Sequence, residues 1–304
     1  MVALDSEEIE KYIKAGEIAA RVRELAEKYA KPGMKIIELA EYVENKIIEL
    51  GGKPAFPCNI SINEEAAHRT PVIDDELVIP DNSVVKVDIG VHIDGYIADT
   101  ATTLNFNPQY EGLVLAVEEA LEKALSIIGP GVKINQVGRI IEELLRRRGF
   151  RPIRNLSGHS LLRYTIHGGT SIPNTYEPLL LSKFRSGEAY AIEPFGTDGV
   201  GYVVESNITT IYALSKIKAR GLTREEQLIF NHIKNEYRTL PFTERWLTRL
   251  LDKNTLRNAI RRLYERKIIR GYPILVEASK SMVAQFEHTV LILDKEVIIT
   301  TKLK

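Results

Sequence analysis

Apolar residues recur at helical spacing over residues 7–29, at Ile9, Tyr12, Ile13, Ile18, Ala19, Val22 and Leu25, which predicts an amphipathic helix. Lys31-Pro32-Gly33 ends it. A second helical pattern covers residues 35–50 and stops at Gly51-Gly52, and Pro54-Ala55-Phe56-Pro57 cannot be helical. From Glu76 onward the period changes to that of a strand. Val84 to Ile89 is β-branched, Asp94-Gly95 suits a two-residue hairpin turn, and a return strand is expected over 96–104. Helices follow over 112–128 and 134–148, separated by Gly129-Pro130-Gly131. Strands are predicted over 189–195 and 201–212, after a turn at Ser186-Gly187. Residues 222–270 return to helical spacing, and strand character resumes over 272–276 and 282–300. A helical block flanked by strands reads as an insertion. The expected organisation is an α+β body, residues 1–212 and 272–304, holding a helical subdomain at 213–271.

Composition narrows the options. The 304 residues are 44% hydrophobic and 27% charged, and 41 Lys+Arg balance 41 Asp+Glu. No global field therefore draws the chain to nucleic acid or to a membrane. Cys58 is the one cysteine, so no intrachain disulfide forms, which fits a reducing compartment. The acidic N-terminal segment does not resemble a signal peptide, and no run approaches the ~20 apolar residues of a membrane span. The expectation is a cytoplasmic protein acting as a monomer.

The most informative stretch is Val87-Asp88-Ile89-Gly90-Val91-His92-Ile93-Asp94-Gly95-Tyr96-Ile97-Ala98-Asp99. With the turn at Asp94-Gly95, Ile93 opposes Tyr96, Gly90 opposes Asp99 and Asp88 opposes Ala101. Opposed residues share a face, as do residues two apart, so Asp88 and Asp99 project to one side while Val87 and Ile89 point into a core. Two such carboxylates repel each other unless a proton or a divalent cation intervenes. The pair by itself is equally compatible with a solvated strand edge. Three further segments add to it: Gly158-His159-Ser160 after a helix, Glu193 in Ala191-Ile192-Glu193-Pro194-Phe195, and Glu287 in Gln285-Phe286-Glu287-His288-Thr289. One histidine and four acids in apolar or Gly-flanked contexts could form a two-metal set. His92, His288 and His232 are not expected in it: His92 lies toward the turn tip, His288 has the opposite parity to Glu287, and His232 belongs to the helical block.

The stretches VVKVDIGVHIDGYIADTATTL, NLSGHSLLRYTIHGG, AYAIEPFGTDG and VAQFEHTVLI resemble methionine aminopeptidases of the pita-bread fold. The resemblance implies five metal ligands, with Asp88 on one ion, His159 and Glu193 mainly on the other, and Asp99 and Glu287 bridging. It implies two divalent ions, of Co, Mn, Fe or Zn. It places His68 at the amide side of the scissile bond and His167 at its carbonyl, gives Glu193 an acid–base role, and puts Phe56, Ile166 and Tyr272 in the wall of a methionine pocket. The substrates it implies are the N-termini of nascent polypeptides, cut when the second residue is small. Glu193 and Glu287 lie 94 positions apart (287 − 193), with the helical block between them. That resembles the type II enzymes, in a pita-bread fold with a winged-helix-like insert. Prolidase-like relatives usually carry a long domain before the first ligand strand, which here begins at Val84.

The insert has ten Lys/Arg between Arg238 and Arg270. Two readings of it stay open: a solvated basic face, or a surface for nucleic acid or the ribosome.

Overall fold

The computed structural model describes residues 4–303. Helix α1 (Ser6–Tyr29) starts at a capping box in which Asp5 and Glu8 satisfy each other's backbone N–H groups. Helix α2 (Ile36–Glu49) ends where Gly51 takes a positive φ. Short strands β1 (Lys53–Pro54), β2 (Asn59–Ile62) and β3 (Glu65–Ala67) lead into the long hairpin of β4 (Val84–Ile93) and β5 (Tyr96–Asn105). β4 pairs antiparallel with β5 on one edge and with β1 and β2 on the other. The apolar stripes of α1 and α2 bury Val85, Val87, Ile89 and Val91 completely. This fixes the facing of β4: its odd residues meet the helices, so Asp88 must point the opposite way.

The second half repeats the plan of a helix pair backing an antiparallel sheet. Helices α3 (Glu111–Leu125) and α4 (Asn135–Arg147) share a core with Ile192, Ala284 and Val290. Strands β6 (Arg151–Pro152), β7 (Ser157–Leu161), β8 (Ser171–Pro173), β9 (Glu188–Ile192) and β10 (Phe195–Thr197) follow. The chain then enters a long pair of strands, β11 (Val203–Leu214) and β12 (Ile269–Glu277), between which lie α5 (Arg224–His232) and α6 (Lys253–Glu265). Strand β13 (Val283–Gln285) pairs with β10 in a three-stranded sheet of order β13-β10-β6, and β14 (His288–Ile292) and β15 (Val297–Ile299) complete a five-stranded sheet of order β15-β14-β9-β7-β8.

Several sequence expectations shift in detail. The strand expected over 189–195 is two strands, broken at Glu193-Pro194, where proline has no N–H to offer a ladder. The strand expected around Glu287 is also interrupted, between Gln285 and His288. His159 lies on a strand, and residues 76–83 are irregular rather than extended. The helical block is less helical than its periodicity suggests. α5 passes into a π-turn at Ile233–Tyr237, an irregular stretch with a short 3₁₀ turn follows, and the block ends as strand from Ile269.

The block has its own apolar cluster, built from Ile229, Phe230, Phe242, Leu256, Ile260 and Leu263 among others. The buried Arg245 side chain joins it to the body, donating to both carboxylate oxygens of Glu44 at 2.8 and 3.0 Å and to the Pro71 carbonyl. Trp246 Nε1 donates to the same carboxylate. Much of the block's positive charge is neutralised within the chain: Lys253 pairs with Asp74, Arg257 with Glu244, Arg261 with Glu265, and Arg262 and Arg266 with Glu226. No helix among the described residues is long and apolar enough to cross a membrane.

Candidate metal centre

The hairpin register matches the sequence expectation, with Ile93 opposite Tyr96, Gly90 opposite Asp99 and Asp88 opposite Ala101. What brings this hairpin to the second sheet is a non-local seam. Ala101 and Glu287 exchange backbone hydrogen bonds. Asp99 N donates to Thr289 Oγ1, whose hydroxyl donates back to the Asp99 carbonyl, both at 2.8 Å. Asp99 and Glu287 are thereby held side by side across the junction of the two halves. His159 opposes Ala191 on β9, two residues before Glu193. Gly158 permits that approach, because a Cβ there would overlap the Ala191 carbonyl.

One cavity of about 360 Å³ is lined by Asp88, Asp99, His159, Glu193 and Glu287, and also by His68, His167, Phe56, Ile166 and Tyr272. The ligand atoms of Asp99, His159 and Glu287 all lie within 4.8 Å of one another. His159 Nε2 is 3.4 Å from Glu193 Oε1 and 3.8 Å from Asp99 Oδ2. Asp88 borders the same cavity and is close enough to Asp99 for the two to share a hydrogen bond when one is protonated. All ten residues singled out in the sequence therefore face one space.

The electrostatics of this space are unbalanced. Burial, then repulsion from neighbouring acids, drives Asp99, Glu193 and Glu287 well above the ordinary carboxylate range, and burial lifts Asp88 to about 7. Burial and the neighbouring His167 lower His159 to about 3, leaving a neutral imidazole with a free lone pair. Asp88 Oδ1, Asp99 Oδ1 and Glu287 Oε1 are buried without a hydrogen-bond partner. Buried acceptors are nearly always satisfied, and each one left alone costs about 1–3 kcal/mol. Hard carboxylate oxygens beside a neutral imidazole fit a divalent metal ion, which would satisfy these acceptors and remove the repulsion.

The other two histidines of the cavity, His68 and His167, are placed differently. His68 has a left-handed backbone (φ 70°), and its Nδ1 lies 3.1 Å from the Pro273 carbonyl. His167 packs edge-on against His159, with ring centroids 4.5 Å apart. Burial holds His68 below its ordinary value and His167 at about 4, so both are neutral near pH 7. Phe56 packs over Gly90, where a Cβ would overlap the ring. The three histidines set aside in the sequence sit outside the cavity lining: His92 accepts from Gly95 N in the turn, His288 pairs with Thr301 Oγ1, and His232 packs edge-on against Tyr237.

Sequence reasoning passed over several contributors. Gln285, buried, places its amide 3.5 Å from Glu193 Oε2, and Thr289 braces Asp99. Both lie two residues from Glu287 along the chain, and that spacing is the signal that could have found them. Asn59 opposes Asp88 across the β2–β4 ladder and also lines the cavity. Arg23 on α1 reaches Thr100 Oγ1 and the His288 ring from beneath, and Pro241 of the insert supplies part of the wall. Nothing local in the sequence marks these last two.

Acids and a histidine thus meet at the seam of a two-half antiparallel fold, in a group that could hold a metal ion. The model of Metallopeptidase family M24 matches residues 10–294, and the chain belongs to this family. The chain is 48% identical over 295 residues to a methionine aminopeptidase of Pyrococcus abyssi, covering 97% of this chain and 100% of that one. It is 44% identical over 300 residues to one of Saccharolobus solfataricus, covering 98% and 99%. A crystal structure of a methionine aminopeptidase from Thermotoga maritima superposes over the whole of both chains with a TM-score of 0.72 at 25% identity. The fold is the α+β pita-bread arrangement of these peptidases.

Proposed function

We propose that the chain is a methionine aminopeptidase of the type II kind. It removes the initiator methionine from nascent polypeptides in the cytoplasm when the second residue is small. The observation that carries this reading is the convergence on one cavity of a neutral imidazole and four carboxylates, Asp99 and Glu287 buried and Asp88 and Glu193 half-buried, with carboxylate oxygens left unpartnered. Asp88, Asp99, His159, Glu193 and Glu287 are the proposed ligands of two divalent ions drawn from Co, Mn, Fe or Zn. Charge supports two: four ionised carboxylates carry four negative charges, which one divalent cation only half offsets. The 94-residue separation of Glu193 and Glu287, filled by the insert, supports the type II assignment. Residues 1–212 and 272–304 form the proposed catalytic unit and 213–271 the inserted one. The insert supports the cavity through Pro241 and the Arg245–Glu44 pair. Its internal ion pairs favour this role over a surface for nucleic acid or the ribosome.

When bound, such cations polarise a carbonyl and lower the pKa of water, supplying a nucleophile at neutral pH. The chain's own groups do the rest. Phe56, Ile166 and Tyr272 seat the methionine side chain away from water. His68 donates from Nδ1 to the Pro273 carbonyl, so its Nε2 lone pair faces the cavity and accepts from the scissile amide N–H. His167, neutral, donates an N–H to the scissile carbonyl oxygen as negative charge builds there. Glu193, ionised at rest, takes a proton from the attacking water and passes it to the leaving amine.

The test is release of free methionine from Met-Xaa-Ser peptides. Ala, Gly or Ser at the second position should be processed far faster than Lys or Phe. Equal rates across the set would make this a broad aminopeptidase instead.

A further inference from the structure

A groove of about 600 Å³ continues from the cavity lined by the acids and shares His68, Asn155, Leu156, Tyr272 and Leu275 with it. Its far wall is the start of β11, where it adds Val204 and Glu205, with Tyr202 just before the strand. The strand register shows what lies across its floor. Ala67 on β3 opposes Leu275 on β12, which opposes Glu205 on β11. Opposed residues share a face, so the three form a row running from the residue next to His68 outward to a carboxylate. Two strand spacings put Glu205 about 10 Å from Ala67.

The far wall is well fixed. The Asn155 side chain takes both the N–H and the carbonyl of Val203, at 2.9 and 2.8 Å, as a neighbouring strand would. Glu205 is exposed, and among the described residues its carboxylate joins none of the ion pairs. Two arginines that touch lining residues are already engaged. Arg154 lies over the Tyr202 ring and reaches the Val200 carbonyl, while Arg270 donates to the Tyr272 hydroxyl.

We propose that this groove carries the substrate chain beyond its second residue, and that Glu205 selects a cationic side chain at the fourth or fifth residue. The proposal rests on the aminopeptidase reading above. A peptide whose scissile bond meets His68 has its second residue there. An extended chain advances about 3.3 Å per residue, so about 10 Å is three residues on, which brings its fifth residue beside Glu205 and leaves its fourth within a side chain's reach. The continuity of the two cavities identifies the occupant, since the chain following the scissile bond must leave the site along a path wide enough for it.

The experiment scans one Lys or one Glu through positions three to six of a Met-Ala-(Gly)n amide and measures kcat/KM at low and high salt. The tripeptide Met-Ala-Gly, too short to reach Glu205, serves as the control. The expected result is a preference for Lys over Glu of about fivefold at positions four and five, the size that exposed charge pairs support, fading at high salt. Glu205→Gln should level the preference and Glu205→Lys should invert it, with the tripeptide rate unchanged in both. A flat scan, or a preference that survives in Glu205→Gln, overturns the proposal while leaving the aminopeptidase reading intact. Failure of the wild-type protein to release methionine from every peptide, the tripeptide included, overturns both.

Discussion

Replacing Asp88 by Asn should make the chelated protein more stable and the metal-loaded protein less so. Burial lifts Asp88 from 3.8 to about 7. An acid held above its unfolded value leaves the folded state unpenalised below the unfolded pKa. The penalty grows as pH rises and is complete above the folded pKa, so the window here runs from about pH 4 to 7. At about 1.4 kcal/mol for each tenfold change in proton affinity, the ionised Asp88 weighs on the folded chain by roughly 4 kcal/mol above pH 7. An Asn at this place removes that charge but leaves a buried amide, at about 1–3 kcal/mol if unpaired. The net gain at pH 8 is then roughly 1–3 kcal/mol. For a chain of this size that is a rise in Tm of about 2–6 °C. At pH 4 the advantage should vanish, because Asp88 is protonated there. With metal present the order should reverse. A ligand at a hundred times its Kd adds about 2.7 kcal/mol, and the variant binds it less well. The assay is thermal melting of both proteins at pH 4 and pH 8, with chelator and with excess Mn or Co. If the chelated variant melts at or below the wild type at pH 8, or if a difference of the same size persists at pH 4, the argument from buried charge is wrong.

Three further outcomes are expected. His68→Ala and His167→Ala should keep their metal content, measured by elemental analysis, while kcat falls by about 10²-fold or more; loss of metal instead would make either residue a ligand. Glu193→Gln should stay slow at saturating metal, because an amide cannot carry the proton to the leaving amine; near-complete recovery of rate would leave Glu193 a ligand alone. Glu44→Ala should destabilise the protein by about 3–5 kcal/mol in denaturant melts, because it strands the buried Arg245 guanidinium, and an effect below 1 kcal/mol would show that the insert is held by other contacts.

The parts legible in the sequence are those fixed by local geometry. Asp94-Gly95 set the turn, the turn set the register, and the register put Asp88 and Asp99 on one face. Helix stripes and Gly-Pro breaks located α1 to α4 closely. The meeting of the hairpin with His159, Glu193 and Glu287 was not local. It depends on the Ala101–Glu287 bridge and the Thr289–Asp99 exchange, which join residues about 190 positions apart; their sequence contexts only allowed such a set, and the family resemblance gave its members their roles. The splitting of two strands at the ligands also escaped, since apolar runs such as Ala191-Ile192 and Phe195 look continuous unless Pro194 is read as an interruption. β2 is buried at every position, so it shows no alternation to detect. The clamp between Arg245 and Glu44 spans 201 positions and had no sequence signal. The basic insert looked like a charged surface because its acidic partners, Glu226 and Glu244, are buried beneath it.

The central claim is that buried acids and His159 hold divalent ions that the reaction needs. It is tested most directly by stripping the protein with a strong chelator and titrating Mn or Co back, while following both bound metal and free methionine released from Met-Ala-Ser. The account predicts no release from the stripped protein and recovery that rises with bound metal to a plateau at no more than two ions per chain. Full release by the metal-free protein, or bound metal with no methionine released, would contradict it.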